Sequence, residues 1–136
     1  MRQFLLVSHG MFSKGIYDSV KIILGEQSNV KLLTAYVEPG VDVKDQVNEL
    51  LSTIPEEDEV IVCSDVFGGS VNNEFMKHLN RKNLHLVTGM NLPLLMTMFL
   101  SQEEDVAQMI RQCVSEAKEG LIYCNDQVEN VDDEEF

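Results

Sequence analysis

His9 and Asp65 are the side chains around which a chemistry can be built. His9 stands in Ser8-His9-Gly10, directly after the apolar run Phe4-Leu5-Leu6-Val7. Asp65 follows a second such run, Val60-Ile61-Val62-Cys63, and precedes Phe67-Gly68-Gly69-Ser70. Gly10 lets the backbone turn sharply and leaves the imidazole uncrowded. If the two loops meet, Asp65 accepts a hydrogen bond from one ring nitrogen of His9, which fixes the tautomer and leaves the other nitrogen as a nucleophile. The amides around Gly68 and Gly69, the first turn of a following helix and the Ser70 hydroxyl, read as its cap, would then receive an anion carried on that nitrogen. This is the outline of phosphoryl transfer without a metal, which asks for positioning and charge stabilisation more than covalent help. Each part also has a plainer reading: a histidine after a strand is commonly a loop residue, and Gly-Gly-Ser is commonly a turn and a helix cap. Of the other histidines, His78 falls among Lys77, Asn80, Arg81 and Lys82 and reads as surface, whereas His85 alternates with Leu84 and Leu86 as a partly buried strand residue.

These residues need a scaffold that brings distant loops together, and the apolar pattern predicts one. Continuous apolar runs of strand length alternate with segments of helical spacing. Ile16, Val20, Ile23 and Leu24 stop at Gly25, a helix end. Val30 to Val37 reads as a second strand, and Val43, Val47, Leu50, Leu51 and Ile54 as a second helix. A third helix over Ser70 to Leu79, a fourth strand over Leu84 to Val87 and a helix capped by Asn91 and Pro93 follow. Val106, Met109, Ile110 and Cys113 mark a fifth helix, and Leu121 to Cys124 a short last strand. The expected fold is an α/β doubly wound, mostly parallel open sheet with helices on both faces and a short C-terminal antiparallel strand. In such sheets the chemistry lies outside the C-terminal strand ends, where the strand order reverses. That is where Ser8-His9-Gly10, Ser64-Asp65 and Thr88-Gly89-Met90-Asn91 fall.

Length and charge narrow the function further. The 136 residues carry 23 acids against 10 bases, a net charge of −13, with a 44% apolar share that supports one globular domain. So negative a surface repels phosphate backbones and anionic lipid, which argues against nucleic-acid or membrane binding. The acids are concentrated in residues 26–62 and 101–136, away from the segments around His9 and Asp65. The domain is expected over residues 1–125, with 126–136, holding six acids and no base, as a solvated tail. Cys63, Cys113 and Cys124 form no CxxC or metal spacing and read as buried or idle thiols in a reducing compartment. The start lacks a signal-peptide core, and the longest apolar stretch, Leu92 to Leu100, is too short to span a bilayer, so a cytoplasmic location is expected. Nucleotide, dinucleotide and hydrolase loops of the usual patterns are absent, and no metal or cofactor is expected.

Three segments, VSHGMFSKG, SDVFGGSVNN and TGMNLPLL, resemble in order and spacing the enzyme IIA component of the mannose-type bacterial sugar phosphotransferase system. The likeness runs over roughly residues 1 to 125. It implies that His9 is the phosphorylated histidine of a phosphotransferase, loaded by the phosphohistidine of the carrier HPr and unloaded onto a IIB component that works with membrane IIC and IID components. It also implies that Asp65 orients His9, that Gly10, Gly68, Gly69 and Ser70 surround the phosphoryl group, and that Phe12, Phe67 and Asn91 contact partner proteins. Members are homodimers that exchange the last strand, here Leu121 to Cys124. Phe67 and Val71 depart from the family pattern, which often has Trp and Pro at those places. No IIB domain follows the tail, so IIB is expected as a separate polypeptide. A rival is the related phosphocarrier that feeds dihydroxyacetone kinase, whose histidine is typically followed by Ser rather than by a residue like Gly10. A regulatory module read through its phosphorylation state is another. A response-regulator receiver shares the architecture but needs clustered acids where Ser8-His9-Gly10 stands.

Overall fold

In a computed structural model, which describes residues 1–127, four strands alternate with five helices. The strands are β1 (Arg2–His9), β2 (Val30–Ala35), β3 (Glu59–Ser64) and β4 (Leu84–Thr88). The helices are α1 (Phe12–Leu24), α2 (Val43–Ser52), α3 (Ser70–Met76), α4 (Leu92–Leu100) and α5 (Val106–Lys118). All strand pairs are parallel, in the order β2-β1-β3-β4. The chain steps outward from β1 to β2, then returns past β1 to β3, so the order reverses between β1 and β3. A crevice opens at their C-terminal ends, where Val7 pairs with Ser64.

Strands covered on both faces need apolar side chains at every position, and β1 obeys this. Phe4 and Leu6 point into one core with Ile61, Cys63, Val87 and residues of α1, α4 and α5. Leu5 and Val7 point into the other with Val60, Val62, Leu33 and residues of α2 and α3. Leu5, Leu6 and Val7 have no exposed surface; each such burial contributes about 2 kcal/mol. The strand that ends in His9 is therefore covered on both faces and paired along both edges. Burial also pushes the Cys63 thiol up to about 12, which makes it inert, whereas Cys124 is exposed.

The start of α1 is fixed by β1 itself. Met11 at the cap position offers no side-chain hydrogen bond, and Ser8 supplies one from upstream. Its buried Oγ accepts from the Ser13 amide at 2.7 Å, while the Ser13 hydroxyl donates to the Leu33 carbonyl at 3.0 Å. Gly10 makes the intervening turn at φ +57° and donates its amide to the Ala35 carbonyl at 2.7 Å.

Two expectations are corrected, and one is unmet within a single chain. Among the described residues, Leu121 to Cys124 joins no sheet of its own chain: Leu121, Ile122 and Tyr123 are exposed, and Cys124–Gln127 form a 3-10 turn. A strand exists only through a ladder, and within this chain the segment pairs with none. β2 ends at Ala35 instead of Val37, because Tyr36 enters the left-handed region at φ 65°. α3 stops at Met76, three residues early, and a series of tight turns carries the chain to β4. Of the expected acidic tail, residues 128–136 lie outside the described residues. Among the described residues no helix is long and apolar enough to cross a membrane.

Candidate active site

The crevice between β1 and β3 holds His9 and Asp65. His9 is the last residue of β1 and Asp65 the first beyond β3, so parallel register delivers both to the same end of adjacent strands. Asp65 Oδ2 accepts from the His9 backbone amide at 2.8 Å and lies 2.9 Å from His9 Nδ1. Its other oxygen accepts from the Val66 amide at 3.0 Å. Burial by itself would push the Asp65 carboxyl up; the His9 amide, the imidazole hydrogen bond and the imidazole charge outweigh it and hold the group below the usual carboxylate range. Asp65 is thus an ionised acceptor; when the imidazole is neutral, Nδ1 carries the proton toward it and Nε2 keeps its lone pair. The His9 side chain is 41% exposed against 14% for Asp65. The imidazole is partly exposed, and Nε2 is the ring nitrogen that Asp65 leaves untaken.

Around Nε2 the structure assembles a hydroxyl pair. Ser70 Oγ lies 3.2 Å from Nε2, and the Tyr36 hydroxyl lies 2.6 Å from Ser70 Oγ. The Tyr36 ring stacks on the imidazole, centroids 5.5 Å apart at 26°. Ser70 does not cap α3, as the sequence suggested; that position belongs to Gly69, which offers no side-chain bond, and the serine hydroxyl faces His9 instead. Gly69 is required by proximity: a Cβ there would sit 2.9 Å from Val66 Cγ1 and 3.0 Å from His9 Cε1. Gly68 turns the chain at φ +81° and its carbonyl accepts from Asn73 Nδ2 at 3.1 Å. Behind this loop, the buried Ser64 hydroxyl donates to Asn72 Oδ1 at 2.6 Å and lies 2.9 Å from Thr88 Oγ1, tying α3 to the ends of β3 and β4.

The structure therefore brings together His9, Asp65, Gly69 and Ser70, with Gly10 and Gly68 as the turns beside them. Phe12 and Phe67 are exposed, the latter by 75%. The Asn91 side chain is occupied as the cap of α4, accepting from the Leu94 amide at 2.9 Å and donating to the Gly89 carbonyl at 3.1 Å. Tyr36 was absent from the sequence reading. A second strand that ends at Ala35 puts Tyr36 among the strand-end residues, but no residue type in the sequence marks that end. His85 is half-buried in β4, as expected, and its Nε2 lies 2.9 Å from Glu59 on the neighbouring strand.

A partly exposed histidine held by a carboxylate at the switch point of a doubly wound domain can act as a nucleophile through its second ring nitrogen. The family model described as the PTS system fructose IIA component matches residues 3–117, and the chain belongs to this family of sugar phosphotransferase IIA components. The PTS system fructose-specific EIIA component of Bacillus subtilis (strain 168) is 25% identical over 96% of this chain and 92% of its own. A crystal structure from Klebsiella pneumoniae subsp. pneumoniae MGH 78578, described as a candidate phosphoenolpyruvate-dependent sugar phosphotransferase system permease, superposes with a TM-score of 0.92 at 42% identity, covering 93% of each chain. The PTS IIA protein associated with the fucose utilization operon of Streptococcus pneumoniae gives 0.72 at 30% identity, over 93% of this chain and 96% of that one. Membership favours the sugar system over the dihydroxyacetone kinase carrier.

Proposed function

We propose that His9 carries the phosphoryl group of a sugar phosphotransferase system, taking it from the phosphohistidine of HPr and passing it to a histidine of a IIB component. The observation that carries this reading is the contact of Nδ1 with Asp65 in a partly exposed imidazole, which leaves Nε2 as the nitrogen for transfer. In the loading step the Nε2 lone pair forms the new N–P bond, the donor's N–P bond breaks, and its electron pair returns to the donor's ring nitrogen. The Nδ1 proton stays on Asp65's hydrogen bond, so the imidazolium-like charge that develops is balanced by the carboxylate. Unloading is the same displacement run onto IIB. An exposed apolar rim of Met11, Val37, Val66 and Phe67 supports docking of protein partners in place of a small-molecule pocket.

The homodimer expectation is supported by a different place. β4 is an edge strand, and beside its end a cavity of about 320 Å³ opens between Val87, Leu94, Val114, Ala117 and Leu121. Exposed Leu121, Ile122 and Tyr123 follow α5 at the same corner. Pairing of this segment with β4 of a second copy would cover both the edge and these side chains.

Incubation with phosphoenolpyruvate, enzyme I and HPr tests the carrier reading. Stoichiometric phosphate on the wild type and none on His9→Ala is expected; an unmodified wild type would sink it.

A further inference from the structure

Tyr36 combines an unusual backbone with a hydroxyl contact and a ring contact at the site. Its backbone sits at φ 65°, in the left-handed region that is strained for a residue with a large side chain. Asn83, at φ 64°, is the other such residue among those described, and asparagine tolerates that region far better than tyrosine does. The strained backbone places the ring on His9 and the hydroxyl 2.6 Å from Ser70 Oγ. The hydrogen-bond directions follow for the neutral imidazole, the form that can act as a nucleophile. With its one ring proton on Nδ1 toward Asp65, Nε2 accepts and Ser70 donates its one proton to it. Ser70 Oγ then has only acceptor capacity toward Tyr36, so the phenol O–H donates to Ser70.

We propose that Tyr36 is a positioning residue whose hydroxyl aims the Ser70 proton at the group carried on His9 Nε2. The inference rests on the phosphocarrier reading above. When the Nε2 lone pair becomes the N–P bond and the donor's bond breaks, Ser70 loses its acceptor. Its O–H swings to a phosphoryl oxygen without any proton leaving serine. Because Tyr36 continues to donate to Ser70 Oγ, that oxygen stays oriented with its proton toward the phosphoryl group. Without the phenol hydroxyl, Ser70 is free to turn to water, and the dianion loses a charge-assisted donor.

Tyr36→Phe keeps the ring and removes the hydroxyl. At a fixed ratio of phospho-HPr to HPr, it is expected to lower the equilibrium between phosphorylated and free His9 by about threefold to tenfold. Ser70→Ala is expected to lower it at least as much, and the double variant no further than Ser70→Ala alone. The 15N resonance of unphosphorylated His9 Nε2 should move in Tyr36→Phe, while the melting temperature stays within a degree or two of the wild type. A Tyr36→Phe protein with wild-type equilibrium, or a double variant showing the product of the two single effects, would overturn the proposal alone. A wild type that takes no phosphate would overturn the phosphocarrier reading and this proposal with it.

Discussion

The orientation of one imidazole decides what this surface can do, and Asp65 sets it through two contacts to the same residue, backbone and ring. Asp65→Asn should leave the fold intact and slow phosphoryl transfer roughly tenfold to a hundredfold, since a neutral amide neither holds the Nδ1 proton as firmly nor balances the growing positive charge. Stopped transfer assays with phospho-HPr check this, and equal rates would remove Asp65 from the mechanism. Gly69→Ala brings a methyl within 3.0 Å of His9 Cε1. The ring must shift by a few tenths of an ångström, and transfer should fall about tenfold with a melting point close to wild type. His9, Asp65, Gly69 and Ser70 were legible in the sequence because each sits in a short loop directly after an apolar run. Tyr36 was not, since a tyrosine between Ala35 and Val37 looks like one more strand residue. The departure into the left-handed region that sets its role leaves no compositional trace.

Among the elements, the ends carry the site and the middles carry the stability. Ser8 serves both: it closes the start of α1 from within β1 while lying next to His9. Ser8→Ala should lower unfolding free energy by about 1–2 kcal/mol, seen as a lower denaturant midpoint at unchanged slope. Asn91→Ala should cost about 1 kcal/mol through the cap of α4, which is how the structure accounts for that side chain. Strands β1 and β3 were plain in the sequence, as unbroken apolar runs between turn residues must be buried on both faces. The stretch Leu121 to Cys124 has the same composition and forms no strand within the chain, because composition supplies a willing strand but not the neighbour it must pair with. The short α3 is a similar case: Leu79 continues the apolar spacing yet is 45% exposed, the chain having already turned.

For the whole molecule, charge and assembly are the open variables. The surplus of acids lies mainly in 26–62 and 101–136, outside the segments that carry His9 and Asp65. Asp65 also couples stability to pH. Its folded-state affinity for protons is lowered, so its contribution is complete above the ordinary aspartate value of about 3.8 and is lost as pH falls through the lower folded value. Acid titration below about pH 4 should therefore destabilise the wild type more steeply than Asp65→Asn. Light scattering should return twice the 15.4 kDa chain mass, and a monomer mass would contradict pairing through β4. The most direct test of the central claim is 31P NMR of the protein loaded through enzyme I and HPr, which distinguishes the two ring isomers of phosphohistidine. The arrangement of Asp65 on Nδ1 predicts a single signal from phosphate on Nε2 of His9; phosphate on Nδ1, on another residue, or on none would contradict it.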